Sequence, residues 1–177
     1  MALSTSPVRM WWLPSAVLLV GQATWGVLRY PHLPDRIPQH IGTDGVDSWA
    51  DRSVGNAFVL VFVYAGVTAL MVGCAKLTLR VTPRDELPRS GTSPYAAART
   101  ASPLVNRPRS RASALRAARA LLVLNACIGL SFVAGCGMLW RSTPDPDVPV
   151  WFPVAMTLPL LVGTAVTLAA AVHGRKR

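Results

Sequence analysis

The chain has 177 residues, is 51% hydrophobic and still carries a formal net charge of +10. A soluble globule of this size dilutes its apolar fraction with polar surface, so the two values together exclude one unless apolar and charged residues are segregated along the chain. They are segregated: four apolar runs, near 10–28, 57–75, 120–140 and 150–172, alternate with basic and polar stretches. Each run is about 19 to 23 residues, the length at which a helix crosses a hydrocarbon core of about 30 Å. No Asp, Glu, Lys or Arg lies in the middle of any run; Lys76, Arg80, Arg116 and Arg119 press only against the ends, where long basic side chains reach the headgroups. A charge at the bilayer centre costs about 3 kcal/mol on insertion scales, so its absence from all four runs is informative.

Residues 1–9, with Arg9, form a short N-terminal segment before the first run. Gly21-Gln22-Ala23 loosely fits a signal-peptidase site, but apolar character continues through Trp25, Val27 and Leu28, which favours a retained spanning helix over a cleaved leader. Pro14 is expected to bend this helix, as Pro153 and Pro159 are the last one. The second run follows a polar loop over residues 29–56, and these together make a first helical hairpin, residues 10–80. Residues 81–114 are rich in Arg, Pro and Ser, bury too little to offset ordering entropy, and read as a disordered basic linker. From Ser110 the pattern turns helix-forming and extends the third run. Residues 115–177 then form a second hairpin ending in the basic tail Arg175-Lys176-Arg177. The fold class expected is all-α: a polytopic membrane protein of four transmembrane helices in two hairpins.

Lys and Arg set the orientation. Fourteen of them fall before the first run, between the second and third (Lys76 to Arg119) and after the fourth, against four (Arg29, Arg36, Arg52 and Arg141) on the other side. That bias places both termini and the linker in the cytoplasm of a multi-pass cell-membrane protein and turns the 29–56 loop outward. The high charge is then a topology signal, and no nucleic-acid partner is needed to explain it. Cys74, Cys127 and Cys136 all lie in predicted spans, away from any oxidising loop. Gly66, Gly73, Gly129, Gly135 and Gly163 are expected to allow close helix approach, and Gln22 and Asn125 to hydrogen-bond across helices.

The 29–56 loop is overbuilt for a simple reversal of direction. Pro31, Pro34 and Pro38 force Tyr30, Leu33 and Ile37 towards extended backbone. Thr43-Asp44-Gly45 is a turn signal, Ser53 a candidate N-cap with Asp51 near the helix dipole, and Trp49 and Tyr30 suit a half-wet membrane interface. Much of this describes a cap on the helix ends. His32, Asp35, His40, Asp44 and Asp47 supply imidazole and carboxylate groups that suit zinc or manganese, but their spacing matches no standard site, so no metal and no cofactor are assigned. No phosphate loop, dinucleotide fingerprint or nucleophile elbow occurs, and nothing points to an enzyme.

Tyr30-Pro31-x-Leu33-Pro34-Asp35-x-Ile37-Pro38-x-His40, followed by Gly45, Asp47, Trp49 and Arg52-Ser53 before an apolar run, resembles the membrane domain of unknown function 1648. The resemblance covers roughly residues 10–78. Departures are Ile41-Gly42 where the family has Phe-Asn, a missing proline before Asp47 and a Gly-to-Trp spacing one residue short. The same domain opens proteins similar to the immunity and signalling protein for the sporulation-delaying toxin, and the resemblance implies a bacterial multi-pass membrane protein.

The expected function is a non-enzymatic sensor, immunity or accessory protein. Its recognition residues are His32, Asp35, His40, Asp44, Asp47 and Trp49, held by the motif residues Pro31, Leu33, Pro34, Ile37, Pro38, Gly45 and Ser53. The partners expected are the lipid bilayer, an extracytoplasmic peptide or protein, and a membrane partner or second copy of the chain. A small transporter or channel component is the alternative, weakened by the lack of an ionisable group at mid-membrane; a purely structural membrane subunit is the other.

Overall fold

A computed structural model describes residues 10–42, 45–86, 107–141, 143–144 and 147–176. Helix α1 (Leu13–Arg29) opens with Pro14 in its first turn, where no intrahelical N–H is needed, so this proline starts the helix and does not kink it. A single 3-10 turn (Tyr30–His32) follows, and Leu33 goes extended at φ −77°, ψ 144°, as the residue before a proline must. The chain then forms an antiparallel hairpin, β1 (Arg36–Gly42) and β2 (Gly45–Asp51). A wholly helical protein was expected, with Tyr30, Leu33 and Ile37 extended. Leu33 and Ile37 are extended, Tyr30 stays helical at φ −51°, ψ −44° because the chain turns there through the 3-10 segment, and β1 pairs with β2 in a two-stranded sheet. Thr43 and Asp44 of the turn signal lie outside the described residues.

Ser53 caps the short helix α2 (Val54–Ala57), its Oγ accepting from the Asn56 amide at 3.1 Å. Phe58 breaks the helical path, and α3 (Val59–Arg80) continues inward. Helix α4 (Arg111–Leu139) begins with a reciprocal capping box, Ser110 and Ser113 each bonding the other's amide. Its start lies inside the stretch whose composition reads as linker. Helix α5 (Trp151–Lys176) carries Pro159 within it. Residues 87–106, the centre of the expected disordered linker, lie outside the described residues.

Three segments are long and apolar enough to cross a membrane, Val59–Glu86, Arg111–Leu139 and Trp151–His173, and they mark the chain as a membrane-spanning protein. Exposed Leu158, Leu161 and Leu168 along α5 and Leu70 and Leu77 along α3 are surfaces that lipid covers and water does not tolerate. Helix α1, 17 residues long, is the shortest of the four main helices.

Helix α4 is the hub, packing against α1, α3 and α5. Its buried face is mostly small residues, among them Ala114, Ala118, Cys127, Gly129 and Ser131 with the polar Asn125, and larger Leu122, Met138 and Leu139 beside them. Small residues let backbones approach where burial of apolar surface cannot drive association. A Cβ on Gly163 of α5 would meet the Cys127 Cβ at 2.9 Å, so only glycine fits. Gly66 and Gly73, expected to serve the same purpose, have nothing within 4 Å of a Cβ and face outward. Gln22 and Asn125 bond across helices as anticipated. Gln22 Nε2 donates to the Gly129 carbonyl at 3.0 Å, and Asn125 Nδ2 to Thr68 Oγ1 at 3.1 Å. Ser131 Oγ donates to the Met156 carbonyl at 2.7 Å, so α1, α3 and α5 are each tied to the hub by a polar bond.

At the end of the bundle away from the hairpin, Arg111 forks onto the Glu86 carboxylate at 2.9 and 3.0 Å and reaches the Leu79 carbonyl at 3.2 Å. The amides of Arg84 and Asp85 donate to the carbonyls of Pro108 and Arg109. These contacts clasp the ends of α3 and α4 where the residues between them leave and return.

Candidate functional site: the hairpin cap and its cleft

The cap is seated by two residues. Leu33 and Ile37 are buried in one cluster with Ala57, Val61, Cys136, Leu139 and Trp140, so the loop shares its core with α2, α3 and the end of α4. Burying a side chain of this size contributes about 1.5–3 kcal/mol. Trp140 closes the cluster from the other half of the chain: its indole Nε1 donates to the Ala57 carbonyl at 2.7 Å, and its ring meets Trp25 edge-on at 5.2 Å. Gly26 is buried beneath, where a Cβ would meet both Phe58 and Trp140 at 2.7 Å.

Arg52 pins the strip. Its guanidinium Nη1 donates to the Leu33 carbonyl at 2.6 Å, its amide to the Asp35 carbonyl at 2.7 Å, and its Nη2 lies 3.4 Å from the Asp35 carboxylate. The Asp35 side chain is 97% exposed, so that ion pair adds little; the carbonyl bond is the stronger tie. Asn56 Nδ2 donates to the Asp51 carbonyl at 2.9 Å and secures the end of β2.

Within the hairpin, Arg36 pairs with Asp51, Ile37 with Ala50 and Pro38 with Trp49; the register then slips, placing His40 opposite Ser48 and Ile41 opposite Val46. Gln39 and Asp47 are left without a partner across the ladder, an irregularity on each strand that re-aims neighbouring side chains. Gly42 pairs with Gly45, whose φ of 122° suits the tight reversal only because it has no side chain. His40 Nδ1 donates to Asp47 Oδ1 at 2.6 Å. Gly42 makes room for this pair, since a Cβ there would meet Asp47 Oδ2 at 2.7 Å.

The six expected recognition residues do not converge. His40 and Asp47 form a pair, and Asp35 joins Arg52 instead. His32 turns back to donate from Nδ1 to the Leu28 carbonyl at 3.3 Å, Trp49 is half-buried on β2, and Asp44 lies outside the described residues. Among the described residues no three His, Cys, Asp or Glu gather as a metal site would require. With Nδ1 committed to Asp47, His40 presents Nε2 outward. Among the described residues no hydroxyl or thiol is hydrogen-bonded to the imidazole as an activated nucleophile would be. The dyad is suited to hydrogen-bonding a ligand.

The residues from Pro38 to Gly42 form one wall of a cleft of about 660 Å³, within the size range of ligand sites. Val59 and Leu60 of α3 and Met138 and Leu139 of α4 make the floor, and Val148 to Met156 make the far wall. The lining is mostly apolar, with Gln39 and His40 as polar groups on the rim. The far wall and Arg52 were not marked by the sequence as site residues. Arg52 was visible as part of the basic-Ser pair before α2, whereas Val148, Pro149 and Phe152 belong to a segment with no motif.

Residues 17–64 match the family described as a domain of unknown function, DUF1648. The chain carries a DUF1648 domain. The matched segment runs from α1 through the hairpin to Tyr64 of α3, so the DUF1648 domain contains the cap and one wall and part of the floor of the cleft. The rest of the cleft comes from the second half of the chain. No curated protein and no solved structure matches the chain.

Proposed function

We propose that this protein is a non-enzymatic, multi-pass receptor or immunity component of the bacterial cell membrane. In this reading α1 is a fourth span, both termini are cytoplasmic, and the DUF1648 cap faces outward and recognises an extracytoplasmic peptide or protein. The carrying observation is that β1, and not β2, lines the apolar cleft. A two-stranded sheet leaves one edge of β1 without a strand partner, and an extended peptide can add to such an edge while its apolar side chains enter a neighbouring pocket. Pro38 has no N–H to offer, so the pairing stretch is Gln39 to Gly42, with His40 Nε2 available to a polar group of the ligand. The charge bias of the sequence supports the orientation.

Complementation of a deletion strain tests this directly. The double substitution His40→Ala with Ile41→Arg is expected to lose the gene's function with the protein still inserted at normal levels. Asp35→Ala, at a side chain outside the cleft, is expected to retain it. Full complementation by the His40/Ile41 variant would remove the cleft from the function.

A further inference from the structure

At the opposite end of the bundle from the cap, a second cavity of about 580 Å³ opens beside the first turns of α4. Ala112, Leu115, Arg116 and Arg119 line it from one helical face, and Arg109 and Asp85 contribute from the segments that lead into and out of the clasp. Three guanidinium groups against one carboxylate leave the cavity cationic. The Nε atoms of Arg116 and Arg119 are buried and have no hydrogen-bond partner among the described residues. A buried donor left unmet is costly, and guanidinium donors most of all. Ser110 and Ser113 turn their hydroxyls to each other's backbone, and among the described residues neither accepts from Nε of Arg116 or Arg119.

The surroundings say what kind of acceptor fits. The Arg119 guanidinium lies 5.7 Å from the ring centroid of Trp11. Trp11 and Trp12 are each 41% exposed at the start of α1, the position aromatic residues take at a membrane–water interface. Directly beyond them along α1, Leu13 and Val17 are exposed, an apolar surface that acyl chains can follow. A phosphate group at the cavity would receive planar, forked donors, the geometry in which arginine binds phosphate well. Helix α4 also directs the positive end of its dipole here, which adds to the attraction without defining the site.

We infer that Arg109, Arg116 and Arg119 form a binding site for the phosphate of an anionic phospholipid, whose acyl chains lie along α1. It rests on the membrane-spanning character of the chain and is independent of what the cap at the other end binds.

Native mass spectrometry of the full-length protein, delipidated in detergent and titrated with phosphatidylglycerol, phosphatidylcholine or inorganic pyrophosphate, tests the site. Retention of phosphatidylglycerol in preference to phosphatidylcholine is expected. Each guanidinium near a membrane surface is worth about five-fold in affinity, so Arg116→Gln with Arg119→Gln should weaken phosphatidylglycerol binding on the order of 30-fold. The equal charge removal Arg175→Gln with Lys176→Gln should weaken it by less than about threefold. The pair Arg116→Lys with Arg119→Lys keeps the charge but loses the planar fork, so it should fall between the wild type and the Arg116/Arg119 glutamine pair, and it also guards against misfolding. Equal losses from the two glutamine pairs, or no preference for phosphatidylglycerol, would overturn the site. Displacement of the lipid by stoichiometric pyrophosphate would overturn its assignment to a lipid and make the ligand a soluble phosphate.

Discussion

Replacing Trp140 with alanine is expected to cost the folded protein about 3–5 kcal/mol, the range for removing a large buried aromatic. The side chain is 1% exposed and serves three contacts at once. It fills the cluster that seats Leu33 and Ile37, stacks its edge on Trp25, and donates to the Ala57 carbonyl. That carbonyl lies where α2 ends at Phe58, so the indole links the last turn of the hub helix to the break between α2 and α3. Trp140→Phe keeps most of the volume and loses the hydrogen bond, at about 1 kcal/mol. Equilibrium unfolding of purified protein in mixed micelles separates the two variants. A loss below about 1 kcal/mol for the alanine variant would show that the cap is not seated on the second half of the chain.

Substituting Arg52 by alanine should loosen the cap without unfolding the bundle. The bond from Nη1 to the Leu33 carbonyl is charge-assisted and part-buried; such bonds contribute about 1.5–3 kcal/mol. The Arg52 side chain is 33% exposed, which argues for the lower part of that range. Amide hydrogen exchange across residues 33–51 should then speed by about tenfold to thirtyfold, because each 1.4 kcal/mol of local opening free energy is a factor of ten. Exchange in α4 should be unaffected. Lysine at this position can reach the carbonyl or the carboxylate but cannot serve both from a planar fork, so it should restore only part of the protection. Unchanged exchange in the alanine variant would mean that burial of Leu33 and Ile37 alone holds the strip.

The helices were legible because lipid-facing helices are apolar on every side, and both main caps, Ser53 and Ser110, sit where short hydroxyl side chains precede an apolar or alanine-rich run. The apolar part of the third run begins near residue 120, but the Ala- and Arg-rich stretch from Ser110 already signals a helix, and α4 begins at Arg111 as that stretch anticipates. The sheet was hidden by its one proline. Pro38 weakens a strand signal, and the irregularity at Gln39 and Asp47 breaks the alternation that marks a half-buried strand. The same irregularity explains the site. His40 and Asp47 were each chosen for their chemistry, but only the slipped register brings them to 2.6 Å. Gly42, a departure from the family pattern, turns out to face that carboxylate. Trp140 and the wall from Val148 to Met156 carry no local motif; their role depends on α4 and α5 returning to the cap, and that pairing of distant segments leaves no trace in periodicity.

The most direct test of recognition through the cleft is photocrosslinking in cells, with a reactive amino acid at Ile41 and, as the control, at Thr143. Ile41 lines the cleft, whereas Thr143 is exposed between α4 and α5 and outside it. A discrete adduct from position 41 alone, to a peptide or protein outside the cytoplasm, is the predicted result. No adduct from position 41 in correctly inserted protein, or the same adduct from both positions, would contradict it.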